Sequence, residues 1–396
     1  MRVLIVLRYF YCLSQPIGGA ERQALRLATR LSEKGVSAVV VTGLWDRGQP
    51  RREVIQGIAV HRHFTAWGMF DIKGLRKFGQ YFYLLSLLLY LIRHRREYDV
   101  IHCHAATFEA AAAVLAGQWL NKPTLVRAMA SGKWGDLRMV RTDRSLLGTA
   151  WMLKKTREAN AVVALNQQVL REMIDLGVAK ERIFTIPNGV EQPNHLKRDY
   201  EIHEAIVITF VGRLHPQKGI TTLLEAGRIV ARDRPCLRCR FQLAGTGPLE
   251  NELRVLARKL AIEPQVSFLG HVDDVNGLLE QSDIFVLPSL AEGMSNALLE
   301  AMAHGLPCIV TDIAGNNEMI AHNDNGWLVP PEDSQALANA ICSLAIDQAL
   351  RQRLGRAAAG MVGTKYSLDH VADQYLTLYA GLLHEQTQAA ALGACQ

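Results

Sequence analysis

Short runs of β-branched and apolar residues recur along the chain, separated by stretches in which apolar residues return every three or four positions. That change of period predicts strands joined by helices, and therefore parallel sheets covered on both faces. In the first half the expected strands are VLIVL (3–7), SAVVVTG (37–43), DVIHCH (99–104), PTLVRA (123–128), AVVAL (161–165) and RIFTI (182–186). Between the first two, Ala20, Ala24, Leu27 and Leu31 fall at helical spacing, and Gly35 follows as a stop. A fresh series begins at AIVITFVG (205–212) and continues with FQLAG (241–245), VSFLG (266–270), DIFVLP (283–288) and PCIVTD (307–312). The polar, turn-rich stretch PNGVEQPNHLKRDYEIHE between the two series marks a linker. A last helix starts with Ser367 as N-cap and carries Leu368, Val371, Tyr375, Leu378 and Leu382 on one face. The expected fold is thus α/β, two Rossmann-like doubly wound parallel-sheet domains facing across a cleft. The first covers 1–195 and the second 200–366. Such sheets bind ligands outside the carboxyl ends of their strands.

The length of 396 residues suits two domains, and 49% hydrophobic with 21% charged residues is ordinary for a globular protein. The seven cysteines are scattered; Cys236 and Cys239 form a CxxC that no second pair or nearby histidine completes as a zinc site. That pattern fits a reducing compartment, and no secretory leader is apparent, so a cytoplasmic location is expected. The longest apolar run, Tyr81–Ile92, has twelve residues. About 20 are needed to span a bilayer. Arg76 and Lys77 precede it, and Arg93, Arg95 and Arg96 follow. It reads either as a buried helix or as a segment lying in a membrane interface.

Charge changes the picture further. Residues 1–200 carry 30 Lys and Arg against 16 Asp and Glu, a net +14; the rest carry 14 against 22, a net −8. An anionic ligand or surface at the first half follows, and an anionic membrane that the protein meets peripherally, from its inner face, is one such surface. Nucleic acid is not expected, because no binding motif or aromatic-interleaved basic repeat accompanies the charge.

Two short stretches carry candidate chemistry. In GRLHPQKGI (212–220), Arg213 and Lys218 precede a helix whose N-terminus a cation disfavours. Two solvated surface cations would explain them blandly. An anion held there by backbone N–H groups, guanidinium and ammonium would explain their position as well. In EGMSNALLE (292–300), Glu292 and Glu300 flank a helix start that Ser295 or Asn296 caps. Acidic residues there suit the helix dipole alone, but carboxylates also accept from ribose and sugar hydroxyls. Cations and carboxylates in one domain together fit a nucleotide-linked polyol. No P-loop exists, and IGGAER (17–22) is not a dinucleotide fingerprint. His102 and His104 share one strand face, without a third metal ligand near in sequence; no metal and no cofactor is expected. Asp273 and Asp274 read as helix caps.

GGAER (18–22), IPNGV (186–190), GRLHPQKG (212–219), AGTGPL (244–249) and EGMSNALLEAMAHGLP (292–307), in this order, resemble the retaining glycosyltransferases of family 4. The resemblance spans essentially the whole chain and implies the GT-B fold, with the last helix, 367–390, returning to the first domain. It implies transfer of a sugar from a nucleotide-sugar, UDP-linked first of all, to a hydroxyl of a saccharide or lipid-linked acceptor in bacterial cell-surface glycoconjugate synthesis. Arg213 and Lys218 would bind the diphosphate and act on the leaving group, Glu300 the ribose, and Glu292 the sugar and transferring centre. Gly19 would approach the phosphates or acceptor, with Asn188, Ser295 and Asn296 also on the donor. One departure stands out. Many members carry a histidine six residues after the proline that opens the corresponding strand; here that proline is Pro123 and the residue is Met129. Met is useless as a donor or acceptor, so His104, Ser131 and Lys133 become the substitutes for acceptor or sugar contact. A nucleotide-sugar epimerase of the same fold and a non-catalytic nucleotide-sugar-binding partner subunit are the competing readings.

Overall fold

A computed structural model describes residues 1–12, 18–46, 48–65, 76–129, 135–142, 147–193 and 199–393. The chain divides into two compact units: Met1–Gly189 with Leu368–Gln396, and Val190–Ser367.

The first unit holds eight strands: β1 (Arg2–Val6), β2 (Ser37–Gly43), β3 (Arg52–Ile55), β4 (Ile58–His63), β5 (Val100–Cys103), β6 (Thr124–Ala128), β7 (Ala161–Ala164) and β8 (Ile183–Thr185). Their order is β3-β4-β2-β1-β5-β6-β7-β8. All pairs are parallel except β3–β4, an antiparallel hairpin at the edge. Strands β3 and β4 were not expected from the hydrophobic pattern. Their sequence, REVIQGIAVHRH, carries charges where a core strand would not. Arg62 is nevertheless buried, its guanidinium donating to Glu53 and to Pro50 O. A two-residue turn at Gln56 and Gly57, both with positive φ, closes the hairpin.

Apolar side chains cover both faces of this sheet. One cluster joins Leu4, Ile101 and Val126 to the helix Phe108–Leu120; the other joins Ile5, Val40 and Val163 to the helices Gly19–Glu33 and Leu368–Gly393. The last helix seats Val371, Tyr375, Leu378, Tyr379 and Leu382 in that second cluster. It is clamped outside by Arg30 to Asp369 (3.0 Å) and Lys34 to Asp373 (2.7 Å). The chain thus comes back to its first unit after completing the second.

The second unit holds β9 (Ile206–Val211), β10 (Cys239–Ala244), β11 (Val266–Gly270), β12 (Ile284–Leu287), β13 (Cys308–Thr311) and β14 (Trp327–Val329) in the order β11-β10-β9-β12-β13-β14, all parallel. The order reverses beside β9, the switch point at which doubly wound sheets bind ligands. Only β14, three residues long, escaped the sequence pattern. Asp274 caps the helix Val275–Glu280 by accepting from Gly277 N (2.9 Å). Among the described residues no helix is long and apolar enough to cross a membrane.

Candidate active site

In the second unit the loops after β9, β10, β12 and β13 are packed backbone against backbone. After β9 the chain turns through Arg213 and a 3₁₀ turn, Pro216–Lys218, then enters the helix Ile220–Asp233 at Gly219. Gly219 has φ +60°, and a Cβ there would lie 2.0 Å from Pro288 O, so only glycine fits against the loop after β12. Gln217 fastens the same two loops: its carbonyl accepts from Leu290 N and its side-chain amide donates to Ala291 O, each at 2.7 Å. On the other side Gly245, φ +135°, lets the loop after β10 lie on Gly212, whose oxygen would be 1.9 Å from a Cβ.

This frame brings Lys218 and Glu292 together across 74 residues of sequence. Lys218 Nζ is 2.5 Å from Glu292 Oε1, and Ser289 Oγ donates to the same oxygen at 2.6 Å. The carboxylate side chain is 8% exposed and the lysine 19%, so the pair is mostly sheltered. An ammonium has three protons to donate, and one goes to Glu292, leaving Lys218 able to hold a phosphate oxygen at the same time. Arg213 is exposed, and among the described residues its guanidinium has no hydrogen-bond or ion-pair partner. His215 accepts from Gln217 N through Nδ1 (3.3 Å); burial, then Arg213 and Lys218, lower its pKa, so the ring is neutral near pH 7 and adds no third cation. Ser295 caps the helix Asn296–Ala303, accepting from Leu298 N at 3.3 Å. Glu300 lies one turn inside that helix, 5% exposed. The sequence therefore named Arg213, Lys218, Glu292, Ser295, Asn296 and Glu300, and all stand on the loops after β9 and β12 or on the helix Asn296–Ala303 that follows the latter. It missed Ser289 and Gln217; the only signal for Ser289 was its place in the loop just before Glu292.

In the first unit, Gly19 is exposed at the start of the helix Gly19–Glu33. Glu21 accepts from Gly18 N (2.6 Å) and Tyr11 N (3.0 Å), and Gln23 donates to Gly189 O (2.9 Å). His104 is fully buried at the end of β5, where Arg127 Nη1 approaches its Nε2 at 2.6 Å. Arginine can only donate, so Nε2 accepts and the ring is neutral. Burial and the charge of Arg127 push its pKa well below the ordinary histidine value. For the expectation that His104 replaces the missing family histidine at the acceptor, the structure gives its burial: no face of its ring reaches solvent. Asn188 is buried in this unit, accepting from the other arm of Arg127. His102 completes the cluster through a 2.6 Å contact with Tyr379 of the last helix. Ser131 and Lys133 lie outside the described residues, as do the side chains of Arg76 and Lys77. Among the described residues no group of three His, Cys, Asp or Glu side chains could hold a metal ion.

Met129 contributes its backbone. Its N–H donates to Asp136 Oδ2 (2.8 Å), which also accepts from Ala106 N (3.4 Å), joining the ends of β5 and β6. Burial raises the Asp136 pKa to about 6. An unfolded aspartate titrates near 4, so between about pH 4 and 6 the folded chain holds a proton that the unfolded chain has lost. Stability should fall as pH rises through that window and level off above it. Urea midpoints at about pH 4.5 and about pH 7 should differ less in Asp136→Asn than in the wild type; an unchanged difference would remove Asp136 as its source.

Two family models match the chain: Glycosyltransferase Family 4 over residues 17–192 and Glycosyl transferases group 1 over residues 205–347. The N-acetyl-alpha-D-glucosaminyl L-malate synthase of Bacillus anthracis is 26% identical over 385 residues, 93% of this chain and 95% of that one. The UDP-Gal:alpha-D-GlcNAc-diphosphoundecaprenol alpha-1,3-galactosyltransferase of Escherichia coli is 30% identical over 280 residues, 66% of this chain and 70% of its own. Among solved structures, Anabaena HepE in complex with UDP superposes with a TM-score of 0.75 at 20% identity, covering 96% of this chain and all of that one. These matches, over a fold of two Rossmann-like units, make the protein a GT-B enzyme and a member of the family 4, group 1 glycosyltransferases.

Proposed function

We propose that the protein transfers a sugar from a UDP-sugar to an acceptor hydroxyl with retention at the anomeric carbon and without a divalent metal. The observation that carries this reading is the Lys218–Glu292 pair beside the exposed Arg213, at the carboxyl ends of β9 and β12. The two cations would share the charge that builds on the departing diphosphate, where fixed charges lower a barrier most. Glu292 would face the sugar and Glu300 the ribose. In the step itself the bond from the anomeric carbon to the phosphate oxygen breaks. A bond to the acceptor oxygen forms on the same face, and the acceptor proton passes to the leaving phosphate. UDP is supported by the Anabaena structure, and a saccharide or lipid-linked acceptor by the E. coli relative, whose name gives alpha-D-GlcNAc-diphosphoundecaprenol as its acceptor.

The test is incubation of the full chain with a panel of nucleotide-sugars, following free nucleotide and sugar by NMR with and without EDTA. Slow release of UDP from one UDP-sugar, the sugar first appearing as the anomer of the donor, with the rate unchanged by EDTA, is expected. Inversion overturns retention. Turnover lost to EDTA and restored by magnesium or manganese overturns metal independence. A new sugar still attached to the nucleotide would mean an epimerase.

A further inference from the structure

The apolar run at 81–92 is part of the helix Arg76–Arg93, and this helix is apolar on both sides. Tyr83, Leu87 and Leu91 face the core and are buried. On the opposite side Phe78, Phe82, Leu85 and Leu89 recur at spacings of four, three and four, 58%, 38%, 53% and 57% exposed. An isolated exposed leucine is commonplace, but a stripe of four large apolar side chains marks a surface that something covers.

The stripe does not stop at one helix. Tyr81 donates to Leu147 O (2.8 Å) and accepts from Leu147 N (2.5 Å), which sets Leu147, 77% exposed, beside the stripe. Leu147 leads into the helix Thr149–Arg157, whose Trp151 is 47% exposed. The helix Phe108–Leu120 packs against both of these helices. Phe64 meets Phe82 edge to face, ring centres 5.4 Å apart, and extends the patch past the end of β4.

Cations border this apolar ground. Arg93, Arg95 and Arg96 are exposed at the end of the first helix, and Lys154 and Arg157 on the second. Among the described residues the acids nearby are few: Glu97 is exposed, Glu158 is bonded to Lys155, and Glu109 and Asp136 are buried. An apolar strip with a tryptophan and a cationic border matches the two layers of an anionic membrane surface, acyl boundary and headgroup. The helix, at 18 residues, is not long and apolar enough to cross a membrane.

We infer that the face formed by Phe78, Phe82, Leu85, Leu89, Leu147 and Trp151 docks the protein on a lipid bilayer bearing anionic headgroups. The inference rests on these exposed side chains and is independent of the donor reading above. Its test is flotation of the full chain with vesicles of phosphatidylcholine alone or mixed with phosphatidylglycerol, at low and at physiological salt. The wild type should float with the mixed vesicles only, and less as salt rises. Each arginine contributes roughly fivefold to the partition, so R93Q/R95Q/R96Q should lower it by about a hundredfold. Leu85→Gln with Leu89→Gln should lower it on the order of tenfold or more, at any salt. Release of nucleotide from donor in solution should be unchanged in both variants, which shows that they fold. Equal flotation with neutral vesicles, no flotation, or flotation unaffected by the two leucine changes overturns the inference. So does a concentration-dependent dimer that the leucine changes dissolve without any vesicle binding, for then the patch is a protein interface.

Discussion

Arg213→Ala should weaken binding of UDP by roughly 2–5 kcal/mol, the loss that follows when one partner of a desolvated charge pair is removed. Uridine, which lacks the phosphates, should bind variant and wild type alike. The reason lies in what Arg213 does in the free chain. It is exposed, with no hydrogen-bond or ion-pair partner for its guanidinium among the described residues, so the fold does not lean on it. Beside the N-terminus of Ile220–Asp233 it even opposes the helix dipole. Its five donors become useful only when an anion arrives. Thermal unfolding of the variant should therefore match the wild type within about 0.5 kcal/mol. Calorimetry that finds equal losses for uridine and UDP would assign the effect to damage of the loop and not to the diphosphate.

Glu292→Gln should act on the other half of the reaction. Turnover should fall by on the order of 10²–10³, the usual cost of deleting one preorganised electrostatic group. UDP affinity should hold or rise slightly, because the carboxylate now occupies one of the three protons of Lys218 at 2.5 Å, and a neutral amide competes for it less. Single-turnover rates and UDP binding measured side by side separate the roles. Parallel losses in both would mean that Glu292 serves only to hold Lys218 in place.

How much of this was legible beforehand depended on where the partners of each residue came from. The parallel strands were legible because sheets covered on both faces need continuous apolar runs, and VLIVL, AVVAL and DIFVLP are such runs. The β3–β4 hairpin was not, because Arg62 and His63 are charged or polar in sequence yet buried in space, and Glu53 offsets the first. The Lys218–Glu292 site was legible since its residues fall in two short stretches, GRLHPQKG and EGMSNALLE. The His104–Arg127–Asn188 and Met129–Asp136 groups were illegible, because each joins different strand ends and no spacing announces it. The burial of His104 was hidden for that reason: its alternation with His102 identified a shared face of β5, but not the last helix that covers that face.

The glycines at 219 and 245 have a consequence for how such a chain can change its substrate over evolutionary time. Each lets one loop rest on the backbone of a neighbouring loop, so lengthening any of the loops after β9, β10 or β12 displaces the next. Indels, the usual route by which binding loops diverge, are closed there. If the second unit holds the donor as proposed, new donor preferences there come by point substitution at side chains carried on this fixed frame, such as Met294 and Asn296, close in sequence to Glu292. On the proposed reading the frame makes the donor end of the enzyme the slow-changing end, and a lineage acquiring a new donor sugar should show altered side chains there at constant loop length.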